Sequence, residues 1–126
     1  MGRQLASPKK WWENRGLRAF ALAFCTASII FIPFMIYDQG YFLFYGDFNV
    51  QQIPFYQHVH DAIRSGNFGW HWNTDLGANL IGSYTFYNIT SPFLWLTLPF
   101  PSEFVPYLMG PLYILKFSFA SLTAYV

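Results

Sequence analysis

The chain has 126 residues, of which 54% are hydrophobic, 23% aromatic and only 10% charged, with a net charge of +1. Soluble domains average about 25% charged residues, so this composition excludes an ordinary soluble globule. The near-neutral balance also points away from a nucleic-acid partner, and a single cysteine, Cys25, excludes an internal disulfide framework. What remains is a membrane protein, rich in the Trp and Tyr that favour membrane–water interfaces.

Residues 1–18 read as a basic cytoplasmic tail, with Arg3, Lys9, Lys10, Arg15 and Arg18 set against Glu13. Residues 19–37 are almost wholly apolar and would span about 28 Å as a helix, close to the hydrocarbon thickness of a bilayer. A cleaved signal has an apolar region of only about 7–15 residues. This stretch is longer and lacks a small-x-small site after it, so it reads as a retained transmembrane helix. Cys25 within it reads as a small buried side chain. The basic flank puts the N-terminus in the cytoplasm, with Trp11 and Trp12 at the inner interface. Pro33 falls near the end of the helix and bends its exit.

Residues 38–83 are predicted to form an extracytoplasmic loop. Asp38-Gln39-Gly40 ends the first helix, and residues 41–45 are aromatic and extended at the headgroup level. Within the loop, residues 49–65 have helical periodicity: Phe55, Val59 and Ile63 recur at i, i+4 and i+8. This helix is too short and polar to span, so it is expected to lie in the interface, starting near Pro54 and stopping at Gly66. Residues 66–83 are dense in Gly and Asn and read as a turn-rich loop.

Residues 84–100 are apolar but interrupted by Pro92 and Pro99, which suits a short, re-entrant membrane-associated helix. Residues 103–126 form the next span, capped by Ser102, with Glu103 in its first turn and Pro111 in its interior. Lys116 sits near the middle of this span. An ammonium at the bilayer centre costs about 2.5–3.5 kcal/mol on insertion scales and is expected to face a bundle interior or cavity. The span also lacks a stop signal. The chain is therefore expected to be the N-terminal part of a longer polytopic protein.

Several residues could carry chemistry. Asp47 precedes a helical run and is placed to cap it by accepting from the amides of Asn49 or Val50. A carboxylate at an outer surface can instead act as a general base or ligate a divalent cation. Asp38 and Asp75 compete for those roles. His58, His60 and Asp61 are close in sequence, but i and i+2 point to different faces of a helix, so both histidines read as wet surface residues rather than ligands. Trp70-His71-Trp72 can stack on sugar rings or sit in the interface belt. Asn88-Ile89-Thr90 matches the glycosylation acceptor pattern beside an apolar segment and reads as chance.

The succession Gly46-Asp47-x-x-x-Gln51-Gln52-x-Pro54-Phe55, Gly66, Trp72-Asn73, Leu76-Gly77, Tyr87-x-x-x-Ser91-Pro92-Phe93 and a Lys116-bearing helix resembles the YfhO family of bacterial membrane proteins. More broadly it resembles the start of the GT-C glycosyltransferases. The resemblance implies an all-α membrane fold, a polytopic helical bundle of GT-C type. It implies a polyprenyl-phosphate-linked sugar as donor and a cell-envelope polymer such as lipoteichoic acid as acceptor. It puts the catalytic carboxylate at Asp47, with Gln51, Gln52, Trp72 and Asn73 as substrate-binding residues. A leaving polyprenyl phosphate needs positive charge nearby, for which Arg64, also expected to bind substrate, and a residue beyond Val126 are the candidates. The alternative is a non-catalytic membrane partner or a transporter of lipid-linked sugars.

The charge asymmetry predicts residues 47–79 outside the cell. A cysteine placed at Asn67 should react with an impermeant maleimide added to intact cells, and one placed at Ser7 should not. Protection at 67 with labelling at 7 would overturn this orientation.

Overall fold

The computed structural model describes residues 14–41, 46–74 and 76–125, the side chain of Tyr87 excepted. Most of the basic tail, including Trp11 and Trp12, lies outside these residues, as do positions 42–45 and Asp75.

The first helix, α1, runs over Arg15–Tyr37. It starts a turn before the apolar run because Asn14 caps it: the Asn14 side chain accepts from the amides of Gly16 at 3.0 Å and Leu17 at 3.4 Å. Arg15 and Arg18 therefore belong to the helix rather than to a tail. It is the one helix among the described residues that is long and apolar enough to cross a membrane. Only 6% of its most apolar window is buried, so it is not the core helix of a soluble domain. Ile29 and Ile36 lie on its bare face, and Cys25, expected buried, is exposed as well.

A second long helix, α5, runs over Val105–Tyr125 and is about 31 Å long. It falls short of the apolarity of a self-sufficient span, because Lys116, Pro111 and several Tyr and Ser lower its hydropathy. It packs antiparallel along α1. Ser121 Oγ donates to the Ala19 carbonyl at 3.2 Å, and Phe20 meets Phe119 edge-on at 5.2 Å. At the other end Tyr41 and Tyr107 stack at 4.3 Å, with Tyr107 Oη donating to Tyr41 Oη at 2.7 Å. The close approach depends on small residues, as in packed membrane helices: Gly16 and Ala27 on α1, and Gly110 and Ser118 on α5, are all buried.

The antiparallel pair brings Tyr37 and Val105 to the same end, so everything between them is an excursion from that end. It begins with a π-turn over Phe48–Gln52, which passes without a break into α2, Ile53–Ser65. Pro54 occupies the first turn of α2, and Gly66, at φ +72°, closes it in the left-handed conformation that glycine permits. The buried face of α2 is Tyr56, Val59, His60 and Ala62, and Phe55 and Ile63 lie at its margins. The expected apolar stripe is thus turned by about one residue. It faces protein: Tyr56, Val59 and Ala62 pack with Leu80, Tyr84, Leu94, Val105, Met109 and Leu112.

The loop over 66–83 is more ordered than its composition suggested. Strands β1 (Trp70–His71) and β2 (Ala78–Asn79) pair antiparallel. Then α3, Leu80–Tyr84, is capped by the Asn79 side chain, which accepts from Gly82 N at 2.9 Å. The single short helix expected over 84–100 is instead a chain of fragments: a π-turn Thr85–Ile89, the one-turn helix α4 (Pro92–Trp95) and turns to Phe100. Pro92 and Pro99 each lack the amide that a continuous helix would need. Ser102 does not cap α5 with its side chain. It opens a 3₁₀ turn, Ser102–Phe104, after the extended Pro101, and its carbonyl accepts from Gln57 Nε2 at 3.3 Å.

The contact at Gly110 is the tightest point of the helix pair. A Cβ there would come within 2.5 Å of Met35 Sδ. Gly110→Leu should lower stability by about 1–3 kcal/mol through overpacking. The expected result is a lower thermal midpoint in detergent, partly restored by adding Met35→Ala. An unchanged midpoint would contradict the pairing.

Candidate functional site

The site is built where the π-turn meets α5. Gly46, at φ +76°, turns the chain, and its carbonyl accepts from the amides of Asn49 at 3.0 Å and Val50 at 3.3 Å. Those are the two amides that Asp47 was expected to cap. With Gly46 satisfying them, the Asp47 side chain makes no capping bond and stands exposed. Asp47 itself is helical (φ −55°, ψ −24°), whereas a capping residue takes an extended conformation. A π-turn is rare and is frequently found at functional sites.

The residue after Asp47 ties this turn to α5. The Phe48 ring packs on Tyr113 at 5.5 Å between centroids. Tyr113 in turn lies under Lys116, whose Nζ is 5.1 Å from its ring centre. Lys116 Nζ also sits 5.5 Å from the Tyr56 ring and 5.6 Å from the Phe93 ring, and donates to Tyr56 Oη at 3.3 Å. Three segments thus converge on one ammonium: α2 through Tyr56, α4 through Phe93 and α5 through Tyr113. Among the described residues, neither Asp47 nor Lys116 forms an ion pair. One side of Lys116 opens on a cleft of about 520 Å³ lined by apolar side chains of α4 and α5.

Gln51 and Gln52 lie half-buried in the same π-turn as Asp47. Asn49, between them and Asp47, buries its Oδ1 without a hydrogen-bond partner among the described residues, and the sequence alone does not single it out. Tyr56, Phe93 and Tyr113 were also passed over. Their signal was Lys116 itself, because an ammonium on an apolar helix requires company, but sequence spacing does not say which rings supply it.

The other expected site residues lie elsewhere. Arg64 is in the last turn of α2, where a cation complements the helix dipole, and its Nη1 donates to the Phe100 carbonyl at 2.8 Å. It is about 12 Å along α2 from Tyr56. Trp72 and Asn73 are exposed at the turn of the β1–β2 hairpin, with Trp72 edge-on to Trp70 at 5.7 Å. Gly77, at φ +105°, lets this turn close, since a Cβ there would stand 3.0 Å from Trp70 Nε1. The hairpin rests on His58, which contacts His71 at 4.7 Å and pairs with Thr74 Oγ1 at 3.3 Å. His58 is about 200° round α2 from Tyr56, so the hairpin and Lys116 occupy different faces of that helix.

Neither histidine of α2 is a wet surface residue. His58 is half-buried, and His60 is fully buried, with Nε2 donating to the Thr97 carbonyl at 3.2 Å. Among the described residues His60 Nδ1 has no hydrogen-bond partner; Asp61 Oδ1, at 3.7 Å, is too far for one. The helical period explains the error, since residue 60 falls beside 56 and 59 on the packed face. Asn88 is also buried, so its acceptor motif is closed to glycosylation. Asp38 forms the C-terminal cap of α1. Among the described residues no group of three His, Cys, Asp or Glu gathers as a metal site.

The sequence model of the family described as bacterial membrane protein YfhO matches residues 19–126. The chain belongs to the YfhO family. No curated protein and no solved structure matches it. The matched region contains α5 and the whole excursion with its π-turn, so both Asp47 and Lys116 are part of the YfhO-family segment.

Proposed function

We infer that this YfhO-family chain takes part in transferring a sugar from a polyprenyl-phosphate donor to a cell-envelope polymer on the outer face of the bacterial membrane. The reading extends to a multi-pass GT-C-type bundle with its N-terminus in the cytoplasm. The observation that supports it is an exposed, uncapped carboxylate in a π-turn whose Phe48 packs on Tyr113, the ring under the Lys116 ammonium, which forms no ion pair among the described residues. The resemblance of the loop to GT-C enzymes supplies the donor class.

The chemistry follows from that placement. A lipid-linked donor keeps its tail among lipid and its sugar–phosphate bond nearer the surface. Asp47 accepts the proton of an acceptor hydroxyl, whose oxygen bonds to the anomeric carbon. The bond from that carbon to the phosphate oxygen breaks, and its electron pair leaves with the polyprenyl phosphate. Negative charge grows on that oxygen in the transition state, and a nearby fixed cation stabilises it. Gln51 and Gln52, in the same turn as Asp47, are placed to orient hydroxyl groups.

Asp47→Asn and Asp47→Ala separate catalysis from folding. Because Asp47 caps nothing, both should change stability by no more than about 0.5 kcal/mol, as exposed substitutions do. Loss of a positioned general base typically costs about 10²–10⁴-fold in rate. Sugar transfer to the envelope polymer, measured at matched expression, should fall by that factor in both variants. Near-normal transfer by Asp47→Asn would remove Asp47 from the chemistry.

A further inference from the structure

The β1–β2 hairpin has the inverse of the polarity that a water-facing hairpin shows. Side chains alternate across a strand, so one face of the hairpin meets α2 and the other faces away. On the side of α2 are the small Ala78, which is buried, and the polar His71 and Thr74, both in contact with His58. The other side carries indoles: Trp70 is 52% exposed and Trp72 81%. At the turn, Leu76 is fully exposed and stands at φ +64°, a left-handed conformation that leucine seldom adopts. The backbone is thus strained where it holds an apolar side chain away from the protein. Main-chain bonds keep this shape: Gly77 N donates to the Thr74 carbonyl at 2.8 Å, and Leu80 N to the Gly69 carbonyl at 3.1 Å.

The place of the hairpin in the fold indicates what covers those side chains. Through Tyr56, Val59 and Ala62, α2 packs with Val105, Met109 and Leu112, one side of the first two turns of α5. The hairpin rests on the opposite face of α2, through His58. It therefore stands one helix further out, level with about the first 10 Å of α5. Because α5 lies along the membrane helix α1, that position is beside the helix pair, where lipid lies, rather than beyond its end. Charge and shape agree. No Lys or Arg lies between Arg64 and Lys116, so nothing in the hairpin attracts an anionic headgroup or a phosphate-bearing polymer. The Trp70 ring is closed on one side by Gly77, and Trp72 meets it at 64°, so the two indoles form no flat platform for a sugar ring. A bare Leu beside two indoles suits the boundary between headgroups and acyl chains, where Trp is enriched. We propose that Trp72 and Leu76 insert into the leaflet at the Tyr37 end of α1, so that the hairpin fastens α2, and with it the adjoining π-turn, at a fixed depth in the bilayer.

Replacing Trp11, Trp12, Trp70 and Trp95 by Phe in the 126-residue chain leaves Trp72 as its single indole. In phosphatidylcholine vesicles, Trp72 emission should be quenched by phosphatidylcholine brominated near the top of its acyl chains. It should be sheltered from iodide present on both sides of the bilayer. Adding phosphatidylglycerol or raising the salt should change neither result, because no cation takes part. Leu76→Asn then separates folding from insertion. Asn accepts the left-handed conformation better than Leu, so the thermal midpoint in detergent should hold or rise. Trp72 in that variant should lose most of its quenching by brominated lipid and become open to iodide. Quenching of the parent by iodide alone would place the hairpin in water, and quenching by neither would place it against another protein segment; either result overturns the proposal. Undiminished lipid quenching in Leu76→Asn would overturn the role of Leu76.

Discussion

The ammonium of Lys116 is the constraint around which the chain is arranged. Half-buried among apolar side chains, it carries a desolvation cost. Three aromatic rings within 5.6 Å of it, each worth about 0.5–2 kcal/mol, and the hydroxyl of Tyr56 offset that cost. The rings come from α2, α4 and α5, so satisfying one charge gathers three segments on one flank of the helix pair. Without that charge, α5 would be an apolar helix needing only α1 and lipid. With it, the excursion between the helices is drawn down alongside them.

This arrangement ties the turn that carries Asp47 to the helix that carries Lys116. Phe48, next to Asp47 in the chain, packs on Tyr113, whose ring lies under Lys116, and among the described residues neither charge has an ion-pair partner. A direct pair would hold the loop but leave no group free to meet a ligand. The π-turn contributes to the same end. Because the Gly46 carbonyl takes the amides of Asn49 and Val50, the carboxylate of Asp47 is released from the capping role that its position suggests. Asn49 in the same turn buries an oxygen that has no hydrogen-bond partner among the described residues.

Much of the frame was legible because it follows from hydropathy and from single strong residues. The apolar stretch of α1, the glycine stop at Gly66, the prolines within both long helices and the need of Lys116 for company all follow from residue chemistry alone. What escaped depends on tertiary contacts. The first turn of α1 follows Asn14 rather than the apolar boundary. The face of α2 is set by what packs on it, so His60 is buried although a histidine beside an aspartate looks wet. Residues 84–100 appear continuous by hydropathy, but Pro92, Pro99 and the buried Asn88 divide them into turns. Asp47 stands out by its position in the sequence, whereas the rings that tie its turn to α5 do not. Nor did the sequence separate Arg64, Trp72 and Asn73 from Lys116, because the turning of α2 decides which side each occupies.

The ring bridge between the Asp47 turn and α5 can be tested directly. With Cys25 replaced by Ala, cysteines at Phe48 and Tyr113 should be joined rapidly by a short bismaleimide, because the two native rings lie 5.5 Å apart. A cysteine at Thr123, nearly three turns further along α5, should not be joined to the one at Phe48. Efficient linkage of 48 to 113 but not to 123 is the predicted result. Failure of the first pair, or equal linkage of both, would contradict the packing of the Asp47 turn against α5 at Tyr113.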